Sequence, residues 1–226
     1  MNIHPNYILD FFLPRFCPGC KKKLSVDEKA VCYDCLSSIQ VADDKRLQIE
    51  FDKDFKSAKI ITDFYSKYIF QADTFLQNII HALKYNRQFR LGIFLGQKLG
   101  EGIKNRNWQV DLVVPVPIHH LRKAERGYNQ SDYIAKGLSK LLNVPFSTSL
   151  ISRSRHTQSQ TGLDKNERAI NVSNAFKVKN VKKVRGKNIL LVDDVCTTGA
   201  TLQECGIVLR KAGASKIYVS SIAVAD

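Results

Sequence analysis

The run Ile189-Leu190-Leu191-Val192-Asp193-Asp194-Val195-Cys196-Thr197-Thr198-Gly199-Ala200-Thr201-Leu202 reads as a buried strand that breaks into a glycine turn and then a helix. Its aliphatic start has the continuous hydrophobicity of a strand covered on both faces. Leu202, Cys205 and Leu209 recur at helical spacing, and Ala212-Gly213 supplies the stop. Asp193 and Asp194 therefore arrive together at the carboxyl edge of a sheet, where ligands bind in open α/β folds. Gly199 permits close backbone approach, the helix start turns free N-H groups outward, and the hydroxyls of Thr197, Thr198 and Thr201 add donors. Residues Val195 to Thr201 thus suit a monophosphate. Two adjacent acids add a second grip, because they can accept hydrogen bonds from the vicinal hydroxyls of a ribose. The plainer alternative is an ordinary strand-to-helix turn with acids comfortably near a helix N-terminus. The acid pair together with Thr-Thr-Gly-Ala-Thr favours the ligand reading.

Working outward, Lys216 to Ile222 reads as a last strand, and Asp111 to Pro117 as a short buried one that two prolines end in a loop. Residues 58 to 65 are β-branched and aromatic enough for another. Phe75, Ile79 and Leu83 mark a helix that continues towards Leu99 after an irregular stretch near Asn86. Ile134, Leu138 and Leu141 mark a further helix, and Leu150-Ile151 closes a strand. Residues 152 to 174 are polar, without period, and too long for an idle connection, so they read as a mobile lid before a return strand at Ala175 to Val178. Alternating strands and helices imply a mostly parallel sheet.

Two Cys-x-x-Cys pairs, Cys17/Cys20 and Cys32/Cys35, have the spacing with which two tight turns present four thiolates to one zinc ion. A pair of disulfides is the alternative, disfavoured in a chain that shows no export signal. With four sulfurs and no open position, the metal is structural. A small module over 1–44 and a main domain over 45–226 follow. The short apolar run at Ile8 to Leu13 contains Asp10, and no stretch reaches the ~20 apolar residues that span a bilayer, so a cytoplasmic location without membrane insertion is expected. The formal charge of +14 is uneven: residues 119 to 187 hold fifteen Lys or Arg against four Asp or Glu, whereas residues 1 to 44 are near neutral. A polyanion is the expected partner of that stretch, and charge alone does not separate a small phosphate ester from a nucleic acid. His119 and His120 are expected at the surface.

From Ile189 to Leu202 the chain resembles the type I phosphoribosyltransferases, whose fingerprint is a hydrophobic strand, two acids and a Thr-rich glycine turn. The resemblance implies an α/β fold, a type I phosphoribosyltransferase-like mostly parallel sheet flanked by helices, and 5-phosphoribosyl pyrophosphate bound with Mg²⁺. It places Asp193 and Asp194 on the ribose and Val195, Cys196, Thr197, Thr198, Gly199, Ala200 and Thr201 on the 5-phosphate. It also implies a diphosphate loop at Pro117 to Gly127, with Arg122, Lys123 and Arg126, and a lid at Ser152 to Asn171, with Arg153, Arg155 and Arg168. Pro115-Val116-Pro117, Arg122 to Gln130, Arg153-Ser154-Arg155 and the four cysteines more specifically resemble the ComF family of competence proteins. That family implies handling of imported single-stranded DNA and DNA-uptake proteins as partners. The alternative is a metabolic phosphoribosyltransferase with a small acceptor. A catalytic chain of this kind would let a nucleophile displace diphosphate at the anomeric carbon; the other reading is a binding module serving DNA uptake, with single-stranded DNA along the basic surface between residues 119 and 187.

Overall fold

The computed structural model describes residues 13–154 and 174–226. Strands β1 (Asp63–Phe70), β2 (Leu112–Pro115), β5 (Ile189–Cys196) and β6 (Ile217–Ala225) run parallel in one sheet, in the order β1-β6-β5-β2. An isolated parallel bridge from Val113 to Phe146 extends the β2 edge. Ile189 to Val192 and Ile217 to Val224 are buried throughout, as expected for central strands covered on both faces. The expected parallel sheet flanked by helices is what the chain forms.

Helices α3 (Phe75–Tyr85), α4 (Phe89–Ile103) and α6 (Gln130–Leu142) cover one side of the sheet. α4 and α6 approach closely because Gly96 and Gly137 bring each backbone against the carbonyl of Ile134 or Ile93 on the other helix, leaving no room for a Cβ. Helix α7 (Ala200–Lys211) returns β5 to β6 and packs on those strands and on β4 (Phe176–Val178). β4 pairs antiparallel with β3 (Ile151–Arg153) in a separate two-stranded sheet.

Three expectations shift. The strand read at 58 to 65 begins only at Asp63, because Ile60 and Ile61 pack against Gly206 of α7, and it runs on to Phe70 through the buried Tyr68 and Ile69. The expected loop between Pro117 and Gly127 contains the short helix α5 (His120–Arg126), which Gly127 terminates at φ +79°. His119, expected at the surface, is 3% exposed, and its Nδ1 accepts the Leu121 N-H at the start of that helix. Of the expected lid, Ser152 and Arg153 belong to β3. Residues 155 to 173, with Arg155 and Arg168, lie outside the described residues.

The cysteine segment ends in α1 (Tyr33–Ser38), and the proposed boundary at residue 44 falls at the start of α2 (Asp44–Asp54), where Asp43 caps the Arg46 N-H at 2.7 Å. This segment lies on the main sheet. Ala42 donates to the Lys67 carbonyl at 3.0 Å, Ile69 to that of Gln40 at 3.0 Å, and Asn78 of α3 to that of Gly19 at 3.0 Å. Its buried side chains join one continuous core with those of the sheet.

Candidate functional site

Pro115 and Pro117 have no N-H to donate, so β2 stops level with Val192 and its last contribution is the Val116 N-H, 2.9 Å from the Val192 carbonyl. β5 continues alone on that side, which exposes Asp193 and Asp194 to a crevice. The start of α6 fills the vacated flank. Asn129 donates to the Val116 carbonyl at 3.0 Å, the Ser131 hydroxyl to Asp193 Oδ1 at 3.0 Å, and Gln130 Nε2 to Asp194 Oδ2 at 3.3 Å.

The turn after β5 passes through Gly199 at φ +66°, a region that costs a side-chain-bearing residue about 1–2 kcal/mol. A methyl group there would also stand 2.8 Å from Phe55 Cζ and 3.1 Å from Asp54 Cβ, so α2 supports the turn from behind. α7 starts at Ala200, and its first turn lines a cleft of about 980 Å³. That cleft is lined by Asp193 to Thr201 without a gap, and by Arg122, Arg126 and Arg153. Lys123, exposed on the same short helix as Arg122, is not among the lining residues.

Electrostatics divide the acid pair. Burial, and then the neighbouring Asp194, push Asp193 up to about 7. Burial also favours neutral Asp194, but the Lys84 ammonium, 3.0 Å from Oδ2, together with the Val195 N-H and Arg126 outweighs it and holds this carboxyl below its usual range. Two adjacent buried carboxylates cannot both ionise cheaply, and a cation on one of them decides which does. Elsewhere in the lining of the cleft, burial and then the nearby Arg122 lower Arg153, a sign of two guanidiniums close to one another. Arg126 lies over the Tyr85 ring at 5.1 Å and donates to Gln130 at 3.2 Å. Burial raises the thiols of Cys196 and Cys205, so neither is a ready thiolate nucleophile.

Lys84 and Ser131 escaped the motif reading. Lys84 reaches the pair from the last turn of α3, far away in sequence, and nothing in its surroundings marks it. Ser131 follows Asn129, the N-cap of α6, and a capping pattern after Gly127 is the signal that could have found it.

The sulfurs of Cys17, Cys20, Cys32 and Cys35 all lie within 4.8 Å of one another, with 3.6 Å between Cys20 and Cys32. Tetrahedral Zn-S bonds of about 2.3 Å require sulfurs about 3.8 Å apart, so the cluster has the size for a metal ion. The Cys32 N-H points at Cys17 Sγ and the Cys35 N-H at Cys32 Sγ, both at 3.4 Å, as suits thiolates. Among the described residues this is the one such cluster; Glu125 and Asp226 also line the cleft, but no third acid or histidine gathers with Asp193 and Asp194 closely enough to form another. No helix among them is long and apolar enough to cross a membrane.

The family model of the phosphoribosyl transferase domain matches residues 129–225. Competence protein F of Haemophilus influenzae is 36% identical over 154 residues, covering 66% of this chain and 67% of that protein. The DNA utilization protein YhgH of Escherichia coli K12 is 32% identical over 149 residues, 64% of this chain and 65% of its own length. Among solved structures, the glutamine phosphoribosylpyrophosphate amidotransferase from B. subtilis superposes with a TM-score of 0.41 at 20% identity, over 61% of this chain and 29% of that one. At 36% identity over about two thirds of both proteins, the chain belongs to the family of competence protein F.

Proposed function

We propose that the cleft binds 5-phosphoribosyl pyrophosphate with Mg²⁺ and that the protein acts in the cytoplasm on the handling of imported single-stranded DNA during natural transformation. The observation that carries the ligand is the opening of Asp193, Asp194 and the whole turn from Val195 to Thr201 into one cleft with three arginines. The turn and the α7 N-terminus hold the 5-phosphate. The acid pair accepts the ribose hydroxyls, and Arg122, Arg126 and Arg153 face the diphosphate. Mg²⁺ binds poorly to all-protein cages and enters on substrate phosphates, which fits an acid pair that, among the described residues, has no third ligating side chain gathered with it; when bound it would neutralise diphosphate charge. The chemistry such a site serves is displacement of diphosphate at the anomeric carbon. The four cysteines hold a structural zinc. The DNA context rests on the names of the relatives, competence protein F and DNA utilization protein, and on the basic stretch from 119 to 187.

Calorimetric titration with phosphoribosyl pyrophosphate and Mg²⁺ tests the ligand, with wild type expected to bind and Asp193→Asn/Asp194→Asn to lose at least about tenfold in affinity. Equal binding by the double variant would overturn the site. Adding a single-stranded oligothymidylate at low salt reads the DNA arm: binding that weakens steeply with salt supports it, and none at low salt refutes it.

A further inference from the structure

Lys84 lies in the last turn of α3, where a cation is favoured, and turns its ammonium into the cleft rather than to solvent, with the side chain 26% exposed. Its partner there is Asp194 Oδ2 at 3.0 Å, an oxygen that Gln130 Nε2 also reaches at 3.3 Å, while Val195 N-H donates to Oδ1 at 2.8 Å. Asp194 is thereby held at both oxygens. Asp193, beside it, receives the Ser131 hydroxyl at 3.0 Å and the Asp194 N-H at 2.9 Å, both neutral donors. We propose that Lys84 is a positioning residue of this site: its ammonium fixes the Asp194 carboxylate and keeps it charged beside Asp193, so that the pair offers a ready acceptor to a ribose hydroxyl. This rests on the reading of the cleft as a phosphoribosyl pyrophosphate site and names a residue of it that the fingerprint does not contain.

The other charged or titratable groups whose fields reach the pair are Arg126 of α5, Arg153 of β3, Tyr128 between α5 and α6, and the thiols of Cys196 and Cys205. Of the cations among the described residues, Lys84 is the one seen in an ion pair with Asp194, at 3.0 Å. Its removal leaves two buried carboxyls competing for one charge, and the pair then retains a proton to higher pH.

The test uses the full chain as wild type, Lys84→Met, Lys84→Gln and Lys84→Arg. Carbon-13 shifts of the aspartate carboxyls are followed against pH without ligand. Asp194 is expected to titrate about one pH unit or more higher in Lys84→Met or Lys84→Gln, whichever folds, and near the wild-type position in Lys84→Arg. With phosphoribosyl pyrophosphate and Mg²⁺ added, the affinity lost on neutralising Lys84 is expected to be about tenfold greater at pH 6 than at pH 8.5. An unmoved Asp194 titration, or a loss of affinity equal at every pH, would overturn the proposal; the second result would make Lys84 a plain diphosphate contact. If the carboxyl shifts but wild type binds no phosphoribosyl pyrophosphate, the positioning of Asp194 stands and the ligand reading fails.

Discussion

At the scale of single residues, the site is built from an acid kept charged and an acid kept close to neutral. Asp193 has its folded-state value raised to about 7, so the native protein holds that proton more tightly than the unfolded chain does. The associated stability is fully present at acid pH, near 4, and is lost as the pH rises towards 7. Asp194, lowered by Lys84, works in the opposite direction and loses its contribution only as the pH falls below the ordinary carboxylate range. Asp193→Asn keeps an oxygen for Ser131 and the Asp194 N-H and cannot ionise. We therefore expect its melting temperature to exceed that of wild type by about 3 °C or more at pH 8, with the gap closing as the pH approaches 4, while ligand binding is lost. A melting series across that range checks it, and a gap that persists unchanged at pH 4 contradicts the assignment. Function here opposes stability in the empty protein. That division of labour was illegible in the sequence: the two acids are adjacent and chemically alike, and only a lysine brought in from α3 tells them apart.

At the scale of elements, the β5 turn and α7 were legible because aliphatic continuity, the acid pair and a Thr-rich glycine turn each carry a physical reason for being there. α5 was not legible, because its seven residues bury none of their side chains and so leave no apolar period to read. Nor was the contact between α2 and the turn, which joins residues far apart in the chain. Gly199→Ala tests that contact. It places a methyl group at φ +66° and against Phe55, so the loss of stability should reach about 2 kcal/mol or more by urea denaturation. Phe55→Ala, itself costly for a fully buried ring, makes room for the methyl. The double variant is accordingly expected to be less destabilised than the sum of the two singles, by about 0.5 kcal/mol or more. Strict additivity would show that Phe55 does not press on the turn.

At the scale of the whole molecule, the cysteine segment touches both supports of the cleft. Gly19, inside the first Cys-x-x-Cys pair, accepts from Asn78 of α3, the helix that delivers Lys84. The chain then leaves the cysteines through α1 and enters α2, whose end backs Gly199. The clustering of the four cysteines was legible from their spacing, but a module drawn as residues 1–44 carried no hint of where it would lie. Its docking depends on backbone pairing with β1 at Ala42 and Ile69, which no periodicity records. Since its buried side chains share one core with the sheet, removing the metal should not simply loosen an appendage. Elemental analysis is expected to find one zinc per chain. Stripping it with a chelator should lower the melting temperature of the whole chain, on the order of 10 °C, in a single transition. It should also weaken binding of phosphoribosyl pyrophosphate, because both α2 and α3 lose an anchor. A separate low-temperature transition for the cysteine segment, with ligand affinity unchanged, would show that metal and cleft are independent.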